Sequence, residues 1–492
     1  MMHLLINFTV LTLIVGIFSP VSAFAAKSND IFYDLKSPHE QSVQFVRLSD
    51  GKVLYEISAD RLLIPASVTK VVTAAAALTR WGPNHTFKTR FFYNGRRDEQ
   101  TIHGDLIVVG NGDPFLVNEL LWQWAADLRN MGIRSITGDI IIDNSLFDAE
   151  VRDDSRRFSV KSSSHAYDAP VSAFGLNFNT FAVAVAASGR PGSKAMINID
   201  PYPLKSLDIQ NRTNTARSGK PTIQVSRVSP NDDSSALVAR GAIAVDQPIM
   251  KVYRSVRNTT KISGEILRSF LNRHDITVKG QVRNGHKPTQ AKLLYTLEGY
   301  NMARIVAGLN KFSNNYIGDM LVKRLGAAFP ASGTADASGQ GTMENGVQVL
   351  KAFMQKDVGI LDPFTLINGS GLDHDNRFNA TQIVKVLTFM HKRFDLFPEF
   401  LVSLPTAGLD GTLAKRFNGN QAKSLDGMVR AKTGTLTEPV AASSLAGYLH
   451  HPKHGLVAFA ILENGLKNKA HPTVADFRDR QDDALYKFLN QF

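Results

Sequence analysis

Apolar and polar positions along this chain follow two periods, and the places where the period changes divide it into parts. Residues 43–48 and 53–57 read as strands joined at Ser49-Asp50-Gly51-Lys52, whose Asp-Gly marks a hairpin turn. Next comes Pro65-Ala66-Ser67-Val68-Thr69-Lys70, followed by an alanine-rich run to Leu78. Proline suits a helix entry, alanine is the strongest helix former, and Gly82-Pro83 supplies a stop, so this stretch is expected as a buried helix. From about residue 90 to 295 the pattern turns to short β-branched runs, such as 106–109, 140–143, 181–186 and 196–199. Helical spacing returns at 302–309 and 316–325, and again at 345–356, 381–394 and 474–492. Three strand-like runs, 428–436, 442–449 and 456–462, lie among these late helices.

The pattern describes an α+β protein. The late strands are expected to complete an antiparallel sheet with the N-terminal hairpin, with the Ser67 helix packed on one face. The strand-rich middle is then an insertion, which is easy to accommodate when the two ends of a chain meet in one sheet. The run Gly110-Asn111-Gly112-Asp113-Pro114 has no Lys-Ser/Thr after it, so it reads as a turn and not a phosphate loop.

The first residues change the picture of where the protein works. Residues 4–18 are apolar and are followed by Val21-Ser22-Ala23-Phe24-Ala25, the pattern of a secretory signal cut after Ala25. The segment before the apolar run lacks Lys and Arg, so an uncleaved anchor is the alternative, but the run is short for a membrane span. The chain has no cysteine, which excludes disulfides, thiol catalysis and thiolate metal sites. Its formal charge of +12 suits anionic surroundings such as cell-wall polymer or a membrane surface. Nucleic acid is the other reading of such charge, but no recognised nucleic-acid module is visible and the export signal argues against it.

Candidate chemistry begins with Ser67 and Lys70. Three residues apart at a helix start, hydroxyl and amine share a face. A serine needs a base to become a nucleophile, and a buried lysine of lowered pKa can be that base. S-x-x-K alone is weak evidence, since average composition gives roughly one or two matches by chance in such a length. The second match here, Ser49 to Lys52, is the hairpin turn. Two further patterns add weight: Ser313-Asn314-Asn315, at the break between two helices, and Lys432-Thr433-Gly434, where a strand is expected. The three together are the signature of active-site-serine penicillin-interacting enzymes.

On these residues the chain resembles the low-molecular-mass, class C penicillin-binding proteins, the D-alanyl-D-alanine carboxypeptidase/endopeptidase family. The resemblance extends to 104–114, 138–140, Asn368-Gly369-Ser370-Gly371-Leu372, 404–413 and Leu445-Ala446-Gly447-Tyr448. It implies a catalytic domain of the serine β-lactamase and penicillin-binding-protein type, an antiparallel sheet flanked by helices, with nested β-rich insertions. The expected division is a signal peptide at 1–25, catalytic parts at 26–89 and 296–492, an inserted domain at 90–189 and 259–295, and a nested one at 190–258. The resemblance places Ser67 as the nucleophile, Lys70 as its base, Ser313 as a proton relay and Asn315 as the amide that holds Lys70. The backbone N–H groups of Ser67 and Thr435 are expected to form the oxyanion hole. Lys432, Thr433, Gly434 and Thr435 are expected to bind the substrate's terminal carboxylate. The resemblance further implies a peptidoglycan stem peptide as substrate, β-lactams as covalent inhibitors, and no need for a metal or organic cofactor. Localisation is periplasmic or otherwise extracytoplasmic, with peripheral attachment to membrane or wall allowed by the charge.

Three departures from the family pattern stand out. Residues 156–165 lack the acidic and tryptophan residues expected for recognising the stem peptide's diamino acid. Glu438-Pro439 replaces a small, glycine-containing turn, and Asn368 stands where aspartate is usual. Two alternatives accompany the peptidase reading: a serine β-lactamase, against which the great length argues, and a non-catalytic penicillin- or wall-binding protein, against which the complete trio argues. His450, His451 and His454 read as a hairpin turn and not a ligand cluster, since no suitably spaced carboxylates accompany them.

Overall fold

The computed structural model describes residues 30–152, 164–228, 236–329, 339–417 and 422–492. The expected signal segment and residues 156–163 lie outside them. A five-stranded sheet organises the half that carries the three motifs. Its order is Val429–Leu436, Ala442–His451, Gly455–Gly465, His39–Arg47, Val53–Ile57, and every pair is antiparallel. The first and last parts of the chain therefore lie side by side, with Phe45 opposite Phe459 and Val43 opposite Ile461.

Alternation along each strand decides which face a residue serves. Phe45, Leu445, Val457, Phe459 and Ile461 form one apolar cluster with Leu485 and Phe488 of the C-terminal helix Val474–Gln491. Val46, Ala446, Tyr448, Ala458 and Ala460 join another, with helices Thr69–Trp81, Met302–Lys311 and Ala380–Lys392. Small side chains on that second face let Thr69–Trp81 come close, and it is buried continuously from Thr69 to Leu78. Its run of alanine, valine and threonine suits a helix with core on all sides.

The middle of the chain leaves by strand Thr86–Tyr93 and returns by Lys292–Asn301, which are neighbours in a second five-stranded sheet. Entry and exit side by side leave the first sheet undisturbed. Within the middle, Thr180–Ala186 lies between Met196–Asp200 and Met250–Ser255, so a strand outside 190–258 shares a sheet with two inside it. One apolar cluster runs from Phe91 and Trp124 through to Val225 and Ile243. Two helices, Asn118–Asn130 and Thr259–Arg273, interrupt the strand-rich stretch. Their buried Leu121, Trp124, Ala125 and Leu128, and Ile262, Ile266, Leu267 and Phe270, keep helical spacing. The flanking β-branched runs hide it in a coarse reading. No helix among the described residues is long and apolar enough to cross a membrane. Of the three histidines read as a surface turn, His451 is buried, against the carbonyl of Phe488.

Candidate active site

Ser67 is positioned by a backbone turn that precedes the helix. The α-helix begins at Thr69, and Ala66–Val68 form a short 3-10 turn before it. Ala66 is left-handed, with φ of 47°, a conformation costing a non-glycine residue about 1 kcal/mol or more. Neighbouring backbone holds the turn from two sides. A Cβ on Gly371 would lie 2.0 Å from the Ala66 carbonyl oxygen, and one on Gly434 would lie 2.7 Å from that of Pro65 and 3.1 Å from the Ser67 nitrogen. The glycine of the K-T-G run is thus required by a close approach of the strand to the backbone at Ser67.

Lys70 is fully buried. Its Nζ lies 2.9 Å from Ser67 Oγ, donates to Asn315 Oδ1 at 2.7 Å, and donates to the carbonyl of Ser370. A neutral amine has two N–H groups and one lone pair. Nζ is thus held among three oxygens, and in the neutral form, with its N–H groups on the Asn315 and Ser370 acceptors, it can turn its lone pair to the Ser67 hydroxyl. Asn315 is fixed at both ends of its amide, because its Nδ2 donates to the Tyr167 carbonyl at 3.0 Å. Tyr167 belongs to the inserted middle, so that part of the chain reaches the catalytic cleft.

Ser313 caps the break between helices Met302–Lys311 and Asn315–Ala328 in a left-handed conformation, φ 53°. Its Oγ accepts from Lys432 Nζ at 2.7 Å, and Lys432 also donates to the Thr433 carbonyl at 2.6 Å. Burial, with the nearby Lys70 charge second, holds Lys432 well below the usual lysine range. Further along strand Val429–Leu436, Thr433 Oγ1 lies 2.8 Å from Thr412 Oγ1, and Thr435 Oγ1 accepts from Arg478 at 3.0 Å.

All eight residues singled out from sequence therefore converge: Ser67 and Lys70 from the buried helix and its turn, Ser313 and Asn315 from the helix break, and Lys432 to Thr435 from the edge strand. Five further contributors lie outside those eight. The Ser370 and Tyr167 carbonyls are backbone groups with no side-chain signal. Asn368, buried beneath that loop, accepts from the Gly371 N–H at 3.1 Å and from Asn376 at 3.0 Å. An acceptor oxygen is what the position uses, and asparagine retains it. Thr412 and Arg478 come from segments distant in sequence. Glu438 is exposed in the turn after the edge strand.

Comparison with known proteins gives concordant results. The family described as D-Ala-D-Ala carboxypeptidase 3 (S13) matches residues 31–485. A D-alanyl-D-alanine carboxypeptidase of Actinomadura sp. (strain R39) is 31% identical over 453 residues, covering 88% of this chain and 79% of that protein. The D-alanyl-D-alanine carboxypeptidase DacB of Haemophilus influenzae is 26% identical over 467 residues, 92% of this chain and 93% of its own. Among solved structures, penicillin binding protein 4 (dacB) from Haemophilus influenzae superposes with a TM-score of 0.72 at 24% identity, covering 94% of this chain and 98% of that one. A predatory peptidoglycan endopeptidase from Bdellovibrio bacteriovorus shares the fold at a TM-score of 0.51 and 17% identity, covering 92% and 94%.

Proposed function

The chain belongs to the D-Ala-D-Ala carboxypeptidase 3 (S13) family, and from that premise we propose how its residues perform a serine-type D-alanyl-D-alanine carboxypeptidase reaction. Ser67 Oγ attacks the carbonyl of the penultimate D-alanine in a peptidoglycan stem peptide while neutral Lys70 takes the hydroxyl proton. Negative charge develops on the carbonyl oxygen, and the N–H groups of Ser67 and Thr435 receive it. The close approach at Gly434 supports this pairing. Ser313, held by Lys432, relays a proton to the nitrogen of the departing D-alanine. That relayed proton is the one Lys70 took from Ser67, so Lys70 is neutral again when water attacks the acyl-serine; it takes the water proton and returns it to Ser67 Oγ as the ester bond breaks. Thr433, Thr435 and Lys432 bind the terminal carboxylate.

A β-lactam acylates the same Ser67, but its leaving nitrogen stays tethered within the adduct, which leaves little room for water. The β-lactamase and non-catalytic readings give way to the peptidase on the family match and the Actinomadura relative. Cleavage of D-alanyl cross-links uses the same steps, so cross-linked muropeptides are the second substrate to assay. Peptidoglycan lies outside the cytoplasmic membrane, and the N-terminal apolar run supports export with signal cleavage, the high positive charge favouring peripheral contact with wall or membrane.

The observation that carries these roles is Lys70 Nζ placed between Ser67 Oγ and Asn315 Oδ1. The test is release of D-alanine from an acyl-D-alanyl-D-alanine peptide. Ser67→Ala is expected to lower kcat by about 10³-fold or more with KM little changed. Activity surviving that change would refute the assignment.

A further inference from the structure

Arg478 lies at the second turn of the C-terminal helix Val474–Gln491, with its guanidinium 3.0 Å from Thr435 Oγ1. It is exposed and forms no ion pair among the described residues, whereas other arginines of this corner are committed. Arg416 pairs with Asp482 at 2.6 Å and donates to the Arg478 carbonyl at 3.2 Å. Arg480 pairs with the fully buried Glu463, and Gln481 donates to Glu463 at 2.9 Å and to the Ser443 carbonyl at 3.2 Å. Ser443 is the strand partner of Thr435. Asp476, the remaining acid of the first turn, is used by the Thr473 capping box. The helix is thus bolted to the strand that carries Thr435, and its one uncommitted guanidinium is fixed beside that threonine's hydroxyl.

We propose that Arg478 is a specificity residue of the peptidase site, binding the free α-carboxylate of the leaving D-amino acid together with Thr435. This rests on the peptidase reading above and adds to it a residue that sets how strongly the site prefers a free terminal carboxylate over an amide or ester. A guanidinium offers paired N–H donors matched to a carboxylate, which a lone ammonium does not. Lys432 is shared with Ser313 and held below the usual lysine range, so the permanent cation of Arg478 beside Thr435 adds to the charge that the carboxylate meets.

The experiment compares native protein, Arg478→Lys and Arg478→Gln. Second-order acylation of Ser67 is measured with benzylpenicillin and with its methyl ester. Hydrolysis is measured with an acyl-D-alanyl-D-alanine peptide and with its terminal amide. Arg478→Gln is expected to lose about tenfold, the value of one charge-assisted contact, towards both acids. The loss falls on KM, with the ester and amide rates unchanged and Arg478→Lys partly restored. An equal loss on acid and ester, or no loss on the acid, overturns the proposal. Binding of the acid peptide to Ser67→Ala protein, with and without Arg478→Gln, is read by calorimetry and does not depend on catalysis. Equal affinity there overturns the role of Arg478, whereas a native protein that binds the peptide but is never acylated overturns the peptidase reading alone.

Discussion

Two buried lysines within one hydrogen-bonded site cannot both be charged at little cost, and this sets the pH behaviour. Lys432 is pushed below the usual lysine range by burial and then by the Lys70 charge. By the same repulsion a second ammonium disfavours the first, so the pair begins to lose protons at lower pH than a lone lysine would. With Lys70 as the proposed base, acylation is expected to rise with pH along a limb below the ordinary lysine value of about 10.4. In Lys432→Met the surviving lysine no longer feels a second charge, so the limb should move to higher pH, and KM for the peptide should rise separately. The measurement is acylation rate against pH in both proteins; an unmoved limb would show that the lysines are uncoupled. At this scale the sequence was highly legible for side chains. Ser67, Lys70, Ser313, Asn315 and Lys432 to Thr435 carry spacing signals. The carbonyls of Ser370 and Tyr167 carry none, because any residue type supplies a carbonyl and only the fold aims it.

At the level of elements, the catalytic edge strand depends on the C-terminal helix behind it. Arg480 and Glu463 form a buried ion pair joined by Gln481 and by Gln41, which accepts from Arg480 at 2.8 Å. Breaking one partner of such a pair strands a charge in the core. Arg480→Met is expected to destabilise the protein by about 3–5 kcal/mol, seen as a fall in chemical-denaturation midpoint. Adding Glu463→Gln should recover part of that loss, and no difference between Arg480→Met and native protein would show that the pair contributes nothing. The sequence showed the helix and the strands by their periods, but not this clamp. Which polar residue of an amphipathic helix meets which strand depends on packing angle, and periodicity does not encode it. The two helices of the inserted middle were missed for a related reason. Each is a short, half-buried helix between β-branched runs, so the local strand signal masked the 3–4 residue spacing of Leu121, Trp124 and Leu128.

For the whole molecule, the clusters beneath the catalytic sheet are separate from the one that fills the inserted middle. The sequence division at 190–258 follows a shift in composition, whereas the sheets divide elsewhere. Val185 pairs with Met250, so joining Ala187 to Pro248 keeps that strand pair while giving up its other neighbour, Met196–Asp200. We propose that replacing 188–247 by a short turn preserves Ser67 acylation, since the catalytic cores stay intact. Joining across 190–258 instead removes Met250–Ser255 and should expose Phe181, Val183 and Val185. Labelling with a fluorescent penicillin distinguishes the two, and loss of labelling in the shorter deletion would show that the middle is integral to the catalytic half. The overall architecture was legible because the early hairpin carries an Asp-Gly turn signal and the late strands alternate or run apolar; the internal plan of the middle was not, because its strands are short and pair across long sequence distances. The central claim is that one serine of the whole chain, Ser67, forms the acyl-enzyme with Lys70 as its base. It is tested most directly by peptide mapping in a mass spectrometer after brief exposure of native and Lys70→Ala proteins to benzylpenicillin. A single penicilloyl adduct on the peptide containing Ser67, absent in Lys70→Ala, is the expected result; an adduct on any other residue, or full labelling of Ser67 without Lys70, would contradict it.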